Sequence, residues 1–562
     1  MNRRLLFGLV IALIVVVTVP TGVALLRLGA PEDGPRPGSG GGGAAAGSPT
    51  CAGRPIAAPR QLRGMWLTTV NNIDWPSRPG LPVDQVKAEY LGWLDLAQRQ
   101  RHNAVFVHVR PSGDALWPSE YAPWSEWLTG RRDGRDPGWD PLAWMVAETH
   151  ARNLEFHAWF NPYRASQPAT VGGAGADIAK LAPDHPLRTH RDWAVTHPPK
   201  AKSARLYYDP GIPEARRFVE DSILDAVRRY DVDGVHFDDF FYPYPAGADF
   251  PDATSYARHG NGIDRAQWRR NNVDTFVREM SERIRATKPW VRFGISPFGI
   301  WRNSTTDPSG SATSGLQSYD AIYADTRKWV RERWVDYIVP QLYWHIGFAK
   351  ADYATLLPWW AKTVEGTGVH LYIGQADYRV GERGAWSDPA ELDRQLALNS
   401  RFNVDGSVHY SAKQVRADRL GAVARYRDAH YATPALVPTA SRLRAAPPGA
   451  PSDTTAARAG DQVRLEWRAP AGRAPTGYAV YRVDEAAGDP SGDRPGRGPA
   501  GELLPGGSPA GDPVLVATVR ATTDPVQRWT DPTAAGRRYT FCVTALDRDG
   551  NESGAGEPSS VG

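Results

Sequence analysis

Eight apolar segments alternate with amphipathic segments along residues 60–432, and this alternation constrains the fold more than any other feature of the chain. Each apolar segment has the length of a buried β-strand, and most of the intervening segments space their apolar residues at helical intervals. Eight strands that alternate with helices predict an α/β domain, the (β/α)8 TIM barrel. The predicted strands are Leu62–Val70, Ala104–Arg110, Leu154–Tyr163, Gly234–Phe241, Val291–Phe298, Tyr337–Trp344, Val369–Tyr378 and Ser407–Ser411.

The segments between the strands predict helices and two long loops. Long loops are predicted at 165–206 and 244–268, after the third and fourth strands, where a barrel builds its ligand cleft. Two of the helices open on an aspartate that can cap the helix N-terminus. The most clearly periodic helices are Val83–Arg101, Pro213–Tyr230, Asp274–Thr287 and Asp325–Val335.

A second domain is predicted after the barrel. Residues 433–455 are rich in proline and alanine and indicate a linker. Residues 456–562 then alternate apolar and polar positions, which is typical of an all-β sandwich. Trp467 and Tyr539 stand where a fibronectin type III domain places its core tryptophan and corner tyrosine, so this domain resembles that fold, and we expect it to act as a spacer. Its predicted strands are Gln462–Trp467, Gly477–Arg482, Val514–Arg520 and Arg538–Leu546, with a disordered loop at 486–512.

The N-terminus predicts export. Residues 1–30 combine a basic start with Leu5–Leu26, a run of 22 residues without a charge. About 20 apolar residues span a bilayer as a helix, which favours an uncleaved membrane anchor over a signal peptide. Residues 31–59 are rich in glycine, proline and alanine and predict a disordered linker. We therefore expect a membrane-anchored protein with its folded part outside the cell, or a secreted one if the segment is cleaved.

Charge and cysteine content narrow the remaining possibilities. The net charge is +4 over 562 residues and no Lys/Arg cluster stands out, so we predict no nucleic-acid partner. The two cysteines, Cys51 and Cys542, provide no disulfide framework. Because Cys51 lies in a flexible segment and Cys542 in a predicted core strand, we predict that they do not bond to each other.

The fourth predicted strand ends at two adjacent carboxylates, Asp238 and Asp239, which an aromatic turn follows. Catalytic groups of a barrel lie at the C-terminal ends of its strands, and alternation places His236 and Asp238 inside the barrel. Glycoside hydrolysis usually needs two carboxyl groups, and aromatic faces stack on sugar rings. We interpret Asp238 and Asp239 as the catalytic pair of a glycosidase. The structural alternative is that a carboxylate of the pair only caps the next turn.

Polar and aromatic residues at other strand ends predict the rest of the cleft. Arg110 is expected either to bind a sugar carboxylate or to hold Asp238 ionised. The fifth and sixth strands carry no carboxylate. The predicted substrate-binding residues are Arg110, Asp114, Trp159, Asn161, Tyr163, His236, Tyr242, Gln341, Tyr343, Trp344, Asp377 and Tyr378.

Metal and cofactor chemistry find little support in the sequence. His108, His157 and His236, together with Asp238, are the one set that a barrel could bring together as metal ligands. The chain has no histidine pair around a glutamate as in zinc proteases, no phosphate-binding glycine loop and no Gly-x-Ser-x-Gly turn. We predict neither a metal nor a cofactor.

Several long motifs of the barrel resemble the glycosyl hydrolase-like 10 family. The resemblance implies a (β/α)8 barrel in exported bacterial proteins, and cleavage of peptidoglycan glycan strands, in one branch those stripped of stem peptides. It implies Asp238 and Asp239 as the catalytic pair. It also implies that Arg110, Asp114, Gln341, Tyr343 and Asp377 line the cleft. The motifs are "RGMWLTTVNNIDWPS", "VFVHVRPSGDALWPSEYAPWSEWLTG", "DPGIPEARRFVEDSILDAVRRYDVDGVHFDDFFYPYP", "YADTRKWVRERWVDYIVPQLYW" and "LYIGQADYRVG".

The fourth strand is also similar to the Asp-Gly-x-Asp-x-Asp-x-Glu motif of family-18 chitinases. Asp233, Gly234 and Asp238 align with that motif, whereas His236 replaces an aspartate and Phe240 replaces the acid. In such enzymes the N-acetyl group of the substrate takes part in the reaction. Here that mechanism would need Asp239 as the acid.

Three functions remain open from the sequence. The first is a glycosidase that acts on an amino-sugar polymer of the cell wall, with a polysaccharide as its partner. The second is a glycan-binding wall protein without activity, which the missing carboxylate on strands five and six favours. The third is a metal-dependent wall deacetylase.

Overall fold

The structure of the protein, a computed structural model, describes residues 50–51, 54–443, 446–484, 511–532 and 537–562. Within these residues, no helix is both long enough and apolar enough to cross a membrane. The predicted membrane segment and nearly all of the predicted disordered loop of the sandwich lie outside the described residues.

Eight parallel strands close into a barrel in the order in which they occur along the chain. The last strand pairs with the first, with Gly406 opposite Leu62. The predicted barrel is thus confirmed, and most of its strands are shorter than predicted because the chain turns into loops where the polar and aromatic residues begin. The strands are β1 (Leu62–Leu67), β2 (Ala104–Arg110), β3 (Glu155–Phe160), β4 (Gly234–Phe237), β5 (Arg292–Ile295), β6 (Tyr337–Ile338), β7 (His370–Gln375) and β8 (Gly406–His409).

Helices surround the barrel, and four of them match predicted segments. The predicted start at Asp274 is wrong, because Asp264 caps that helix by accepting from the backbone N–H of Gln267 at 3.0 Å. Asp325 does cap its helix, as predicted. The helices are α1 (Val83–Arg99), α2 (Glu126–Thr129), α3 (Pro141–Ala151), α4 (Pro213–Arg229), α5 (Ala253–His259), α6 (Arg265–Thr287), α7 (Ser318–Ala321), α8 (Thr326–Arg331), α9 (Tyr353–Val364), α10 (Glu391–Asn399), α11 (Ala412–Ala417) and α12 (Ala422–His430).

The barrel interior is filled by large side chains. Trp66, Phe106 and Tyr337 form part of one buried cluster within it. Gly294 on β5 makes room for this packing, since a side chain there would collide with the ring of Tyr337. The interior is therefore a packed core, and a substrate can reach only its open end.

The C-terminal domain has two antiparallel sheets, as predicted. One has the order β9-β10-β13 and the other β12-β11-β14-β15. Trp467 is buried between them, with its ring 5.2 Å from that of Tyr478. The first strand begins at Ser452, inside the predicted linker. The strands are β9 (Ser452–Ala459), β10 (Gln462–Arg468), β11 (Gly477–Asp484), β12 (Val514–Arg520), β13 (Val526–Asp531), β14 (Tyr539–Leu546) and β15 (Ser559–Val561).

The sandwich packs against the end of the barrel at which the strands begin. Arg60, just before β1, forms an ion pair with Glu552 at 3.0 Å. Arg548 of the sandwich forms an ion pair with Asp231, just before β4, and lies 5.4 Å from the ring centre of Trp290. The loops that follow the barrel strands therefore lie at the end remote from the sandwich.

Cys51 and Cys542 form a disulfide bond, with their Cα atoms 5.8 Å apart, so the prediction that they stay unpaired is wrong. At Cys51, the chain before β1 packs against the rest of the protein. Cys51 is buried in one cluster with Leu436 and with Tyr481 of the sandwich. This packing carries Cys51 to the sandwich strand that holds Cys542, although 491 positions of sequence separate them.

Candidate active site

The two adjacent carboxylates lie at the open end of the barrel. Strand β4 ends at Phe237, and the backbone bends at Asp239. Phe237 points outward, with its ring 5.5 Å from that of Phe276 on α6, so alternation places His236 inside, as predicted. Asp238 and Asp239 are 4% and 2% exposed. Because the strand has ended, both side chains can reach the same end of the barrel.

Asp238 is held by the residue that follows β3. The side-chain amide of Asn161 donates to both carboxylate oxygens, at 3.2 and 3.0 Å. Asn161 is held in turn, because its side-chain oxygen Oδ1 accepts a hydrogen bond from the backbone N–H of Arg164 at 3.1 Å. Burial raises the pKa of Asp238 to about 6, against the lowering effects of the Arg164 charge and of the Asn161 and Trp159 side chains.

Asp239 is held by a tyrosine of the loop after β4. The hydroxyl of Tyr244 donates a hydrogen bond to Oδ2 of Asp239. Within the described residues, Oδ1 is buried without a partner at hydrogen-bonding geometry. Burial raises the pKa of Asp239 to about 7; the Tyr244 hydroxyl opposes this effect, and the neighbouring charge of Asp238 adds to it. Both carboxylates therefore hold a proton to higher pH than an exposed aspartate does.

Half-buried aromatic rings border the carboxylates. Tyr343, Tyr378 and Tyr410 lie with their ring centres 5.6 to 6.2 Å apart, at the ends of β6, β7 and β8. A second row of aromatic rings connects the loops after β4, β5 and β6, and the centres of neighbouring rings in this row are 5.4 to 6.0 Å apart. Its members are Phe240, Tyr244, Phe298 and Trp344. Rings of this kind can stack on the faces of sugars.

Three of the predicted residues form the floor beneath the carboxylates. Trp159 stacks on His108 with ring centres 3.9 Å apart. His236 is fully buried and accepts from the indole N–H of Trp66 at 3.1 Å, and burial holds its pKa well below the usual range, so the ring is neutral. The side-chain amide of Gln341 donates to the Ser296 carbonyl at 2.9 Å. These three side chains shape the base of the cleft and are uncharged.

Tyr163 and Tyr242 do not lie in the cleft, in contrast to the sequence prediction. The ring of Tyr163 packs 5.1 Å from that of Phe276 on α6, outside the barrel wall. The hydroxyl of Tyr242 accepts from Asn272 of the same helix at 3.2 Å. Both tyrosines are fully buried between the barrel and its helices, because the chain has already turned outward after the strand end.

Arg110 forms no contact with Asp238 and does not hold it ionised, since Arg164 is the charge that acts on that carboxylate. The fully buried guanidinium of Arg110 donates to the carbonyls of Asn161 and Pro162, at 3.0 and 2.9 Å. It therefore stabilises the loop after β3. Because no part of Arg110 is exposed, its position does not support the prediction that it binds substrate.

Asp114 and Asp377 each accept hydrogen bonds from neighbouring protein groups. Asp114 accepts from the backbone N–H of Ser112 at 2.7 Å and so stabilises the turn after β2. Asp377 bonds to His409 at 2.9 Å and to the hydroxyl of Tyr426 on α12 at 3.4 Å. Both aspartates are buried.

The structure does not bring the histidines together as metal ligands. His157 bonds to the hydroxyl of Tyr337 and to Glu155, each at 3.0 Å, toward the end of the barrel where β3 begins. Among the residues that the structure describes, no group of three or more His, Cys, Asp or Glu side chains is arranged to hold a metal ion.

Several cleft residues were not predicted from the sequence. Tyr410 follows β8 directly, so the rule that was applied to the other strand ends would have found it. Tyr244 and Phe298 lie in loops beyond the strand ends. No local pattern marks their position beside the carboxylates.

Comparisons with known proteins show the family of the chain. The family model described as "Glycosyl hydrolase-like 10" matches residues 61–390. The chain is 43% identical to "Glycosyl hydrolase YngK" of Bacillus subtilis over 508 residues, which cover 88% of this chain and 92% of that protein. It is 40% identical to "Glycosyl hydrolase DigH" of Escherichia coli K12 over 384 residues, which cover 64% of this chain and 86% of that protein.

Among solved structures, the glycoside hydrolase domain of PgaB (BpsB) from Bordetella bronchiseptica matches with a TM-score of 0.45 at 14% identity, over 66% of this chain and 98% of that one.

The family model covers more than half of the chain, and YngK is similar over nearly its whole length. The protein belongs to the glycosyl hydrolase-like 10 family.

Proposed function

We propose that the barrel is a glycoside hydrolase that cleaves the glycan strands of peptidoglycan with Asp238 and Asp239. One observation carries the proposal: two adjacent buried carboxylates at the open end of the barrel have raised pKa values of about 6 and about 7. Such a pair can hold one proton near neutral pH, as glycosidic bond cleavage requires.

The partners of the two carboxylates suggest their roles. Asp239, with the higher pKa, keeps its proton longer and is the proposed general acid that protonates the leaving oxygen. Asp238 accepts two hydrogen bonds from Asn161 and is the proposed ionised group. With an N-acetylated sugar, Asp238 can orient the acetamido group for attack on the anomeric carbon. A glycan without N-acetyl groups that is cleaved equally well would contradict this part of the proposal.

The proposed substrate is an amino-sugar polymer of the cell wall. The aromatic rings beside the carboxylates suit stacking on sugar rings, and the curated relatives reported above are named glycosyl hydrolases. The choice of peptidoglycan depends on the family resemblance of the motifs.

The proposed location is outside the cytoplasmic membrane, either anchored through Leu5–Leu26 or secreted. The disulfide bond between Cys51 and Cys542 supports this location, since such bonds persist mainly in oxidising compartments. A protein that is found in the cytoplasm with both cysteines reduced would contradict it.

Release of reducing ends from purified glycan strands tests the proposal. We expect release by the protein and a loss of at least about a hundredfold in the Asp238→Asn and Asp239→Asn variants. The exposed Asp428, which pairs with Arg427 on α12, provides the matched control Asp428→Asn. Equal activity in the Asp238→Asn variant would contradict the proposal.

The same experiment separates the alternative functions. Acetate release that a chelator abolishes, without new reducing ends, would identify a metal-dependent deacetylase. Sedimentation with glycan strands, without any product, would identify a binding protein.

A further inference from the structure

A groove with a volume of about 240 Å³ lies beside the barrel, between the start of α1 and the loop that joins α2 to α3. Both α1 and α3 begin at the open end of the barrel, because they follow β1 and β2. Leu81, Val86 and Leu128 are buried and give the groove an apolar lining, to which the half-buried Trp139 adds an aromatic ring. The groove shares no lining residue with the aromatic rows beside the carboxylates, so it is separate from the cleft.

The ring of Trp139 is held in place from outside the groove. The ammonium nitrogen of Lys87 lies 5.2 Å from the centre of this ring, and the ring of Trp144 packs against it edge to face at 6.1 Å. Neither Lys87 nor Trp144 lines the groove. The next residue, Asp140, caps α3 by accepting from the backbone N–H of Ala143 at 3.0 Å. The ring is therefore preorganised, which lowers the entropic cost of binding a ligand.

Charged side chains complete the lining of the groove. Arg135 and Asp136 are exposed, and Arg131 pairs with Asp133 at 2.6 Å. A sugar ring has apolar faces and an edge of hydroxyl groups, so an aromatic ring beside charged donors and acceptors suits it. Eleven of the described residues line the groove, whereas a stable protein interface takes about 20–30 residues on each side. The groove therefore fits a sugar better than a protein partner.

We propose that this groove is an auxiliary glycan-binding site, which holds a part of the glycan strand away from the bond that is cleaved. The inference rests on the proposed function for the identity of the glycan. The volume is slightly below the range of about 300–1,000 Å³ that is usual for small-molecule sites, so the groove takes one or two sugar units. A strand that is held at the groove has a raised effective concentration at the cleft. The groove therefore favours long strands over short ones.

Loss of the Trp139 ring should weaken the binding of long strands without changing the chemistry. In the full-length protein inactivated by Asp238→Asn, Trp139→Ala should weaken binding of purified peptidoglycan glycan strands by about three- to tenfold, the effect of one aromatic partner. In the active protein, the same substitution should raise KM for these strands by a similar factor and leave kcat unchanged. Both constants should stay unchanged for a four-sugar oligosaccharide, because a short chain that fills the cleft leaves no sugar for the groove.

Trp334→Ala is the matched control. Trp334 is also a half-buried tryptophan beside a lysine, with Lys328 5.4 Å from its ring centre, but it lies just before β6, at the end of the barrel where the strands begin. This variant should bind long strands as the parent does. Trp139→Tyr keeps an aromatic ring and should keep most of the affinity. Arg135→Ala removes an exposed donor of the groove without disturbing the fold and should weaken binding about threefold.

The outcomes distinguish this inference from the proposed function. Unchanged affinity and unchanged KM for long strands in both Trp139→Ala and Arg135→Ala would overturn the auxiliary site, while cleavage by the wild type would still support the proposed function. Weaker binding in these two variants, without cleavage by any of the proteins, would refute the proposed function and support the groove as a glycan-binding site. An equal loss of affinity in Trp334→Ala, or a parent that binds no glycan strands, would overturn the inference.

Discussion

Removal of the Tyr244 hydroxyl tests the proposed protonation of the carboxylate pair. This hydroxyl donates to a carboxylate oxygen of Asp239 and so stabilises its ionised form. Without the donor, the pKa of Asp239 rises above about 7, and the proposed acid keeps its proton to higher pH. Hydrogen bonds to charged groups contribute about 1.5–3 kcal/mol, and one pKa unit corresponds to about 1.36 kcal/mol. Tyr244→Phe should therefore raise this pKa by about one to two units.

The pH dependence of kcat/KM measures the effect, because it reports the ionisations of the free enzyme. With Asp239 as the acid, activity falls as the pH rises through its pKa, so Tyr244→Phe should move this alkaline limb upward. Tyr378→Phe is the matched control, since Tyr378 contacts the rings of Tyr343 and Tyr410 and should leave the limb in place. An alkaline limb that stays in place or moves downward in Tyr244→Phe, or a shift confined to the acid limb, would refute the assignment of Asp239 as the acid.

Three further substitutions test other parts of the structure. Asn161→Ala removes two hydrogen bonds from Asp238, so its pKa should rise above about 6 and the acid limb of the pH profile should move upward; an unmoved limb would contradict the role of Asp238 as the ionised group. Cys51→Ser should lower the free energy of unfolding by about 2–4 kcal/mol in denaturant titrations, with glycan cleavage unchanged because the disulfide is remote from the cleft; an unchanged free energy of unfolding would contradict a stabilising role of the disulfide. Asp377→Asn weakens a buried hydrogen bond to His409 and should cost about 1–3 kcal/mol of stability without a change in KM, whereas a raised KM would support the sequence-based prediction that Asp377 binds substrate.

The barrel could be predicted because its signal is local. Each strand is a short apolar run, each main helix has its own periodicity, and parallel strands joined by helices have few ways to close. The same alternation placed His236 inside the barrel correctly. It also placed Asp238 at the open end, one residue beyond the point where the strand stops.

Beyond the strand ends, the local signal disappears. Tyr163 and Tyr242 were assigned to the cleft because they closely follow strands, but the chain turns there and buries both against α6. Arg164 lies one residue beyond Tyr163 and faces the cleft. The direction of a side chain in a loop depends on contacts with distant elements, and one sequence does not show these contacts.

The disulfide bond was missed for the same reason. The bond depends on packing between the segment before the barrel and a sandwich strand, which meet only in the folded protein. A residue in a glycine-rich and proline-rich region appears flexible when it is considered alone. The neighbours of Cys51 show that it packs against the sandwich before the chain enters the barrel.

Mass spectrometry of peptidoglycan glycan strands that have been incubated with the protein in heavy-oxygen water tests the central claim most directly. Hydrolysis of a glycosidic bond places one oxygen atom from water on each new reducing end. The proposed function predicts shortened saccharides that carry one heavy oxygen, and none from the Asp238→Asn variant. Intact strands, or heavy oxygen found only in released acetate, would contradict the claim that this barrel is a glycoside hydrolase.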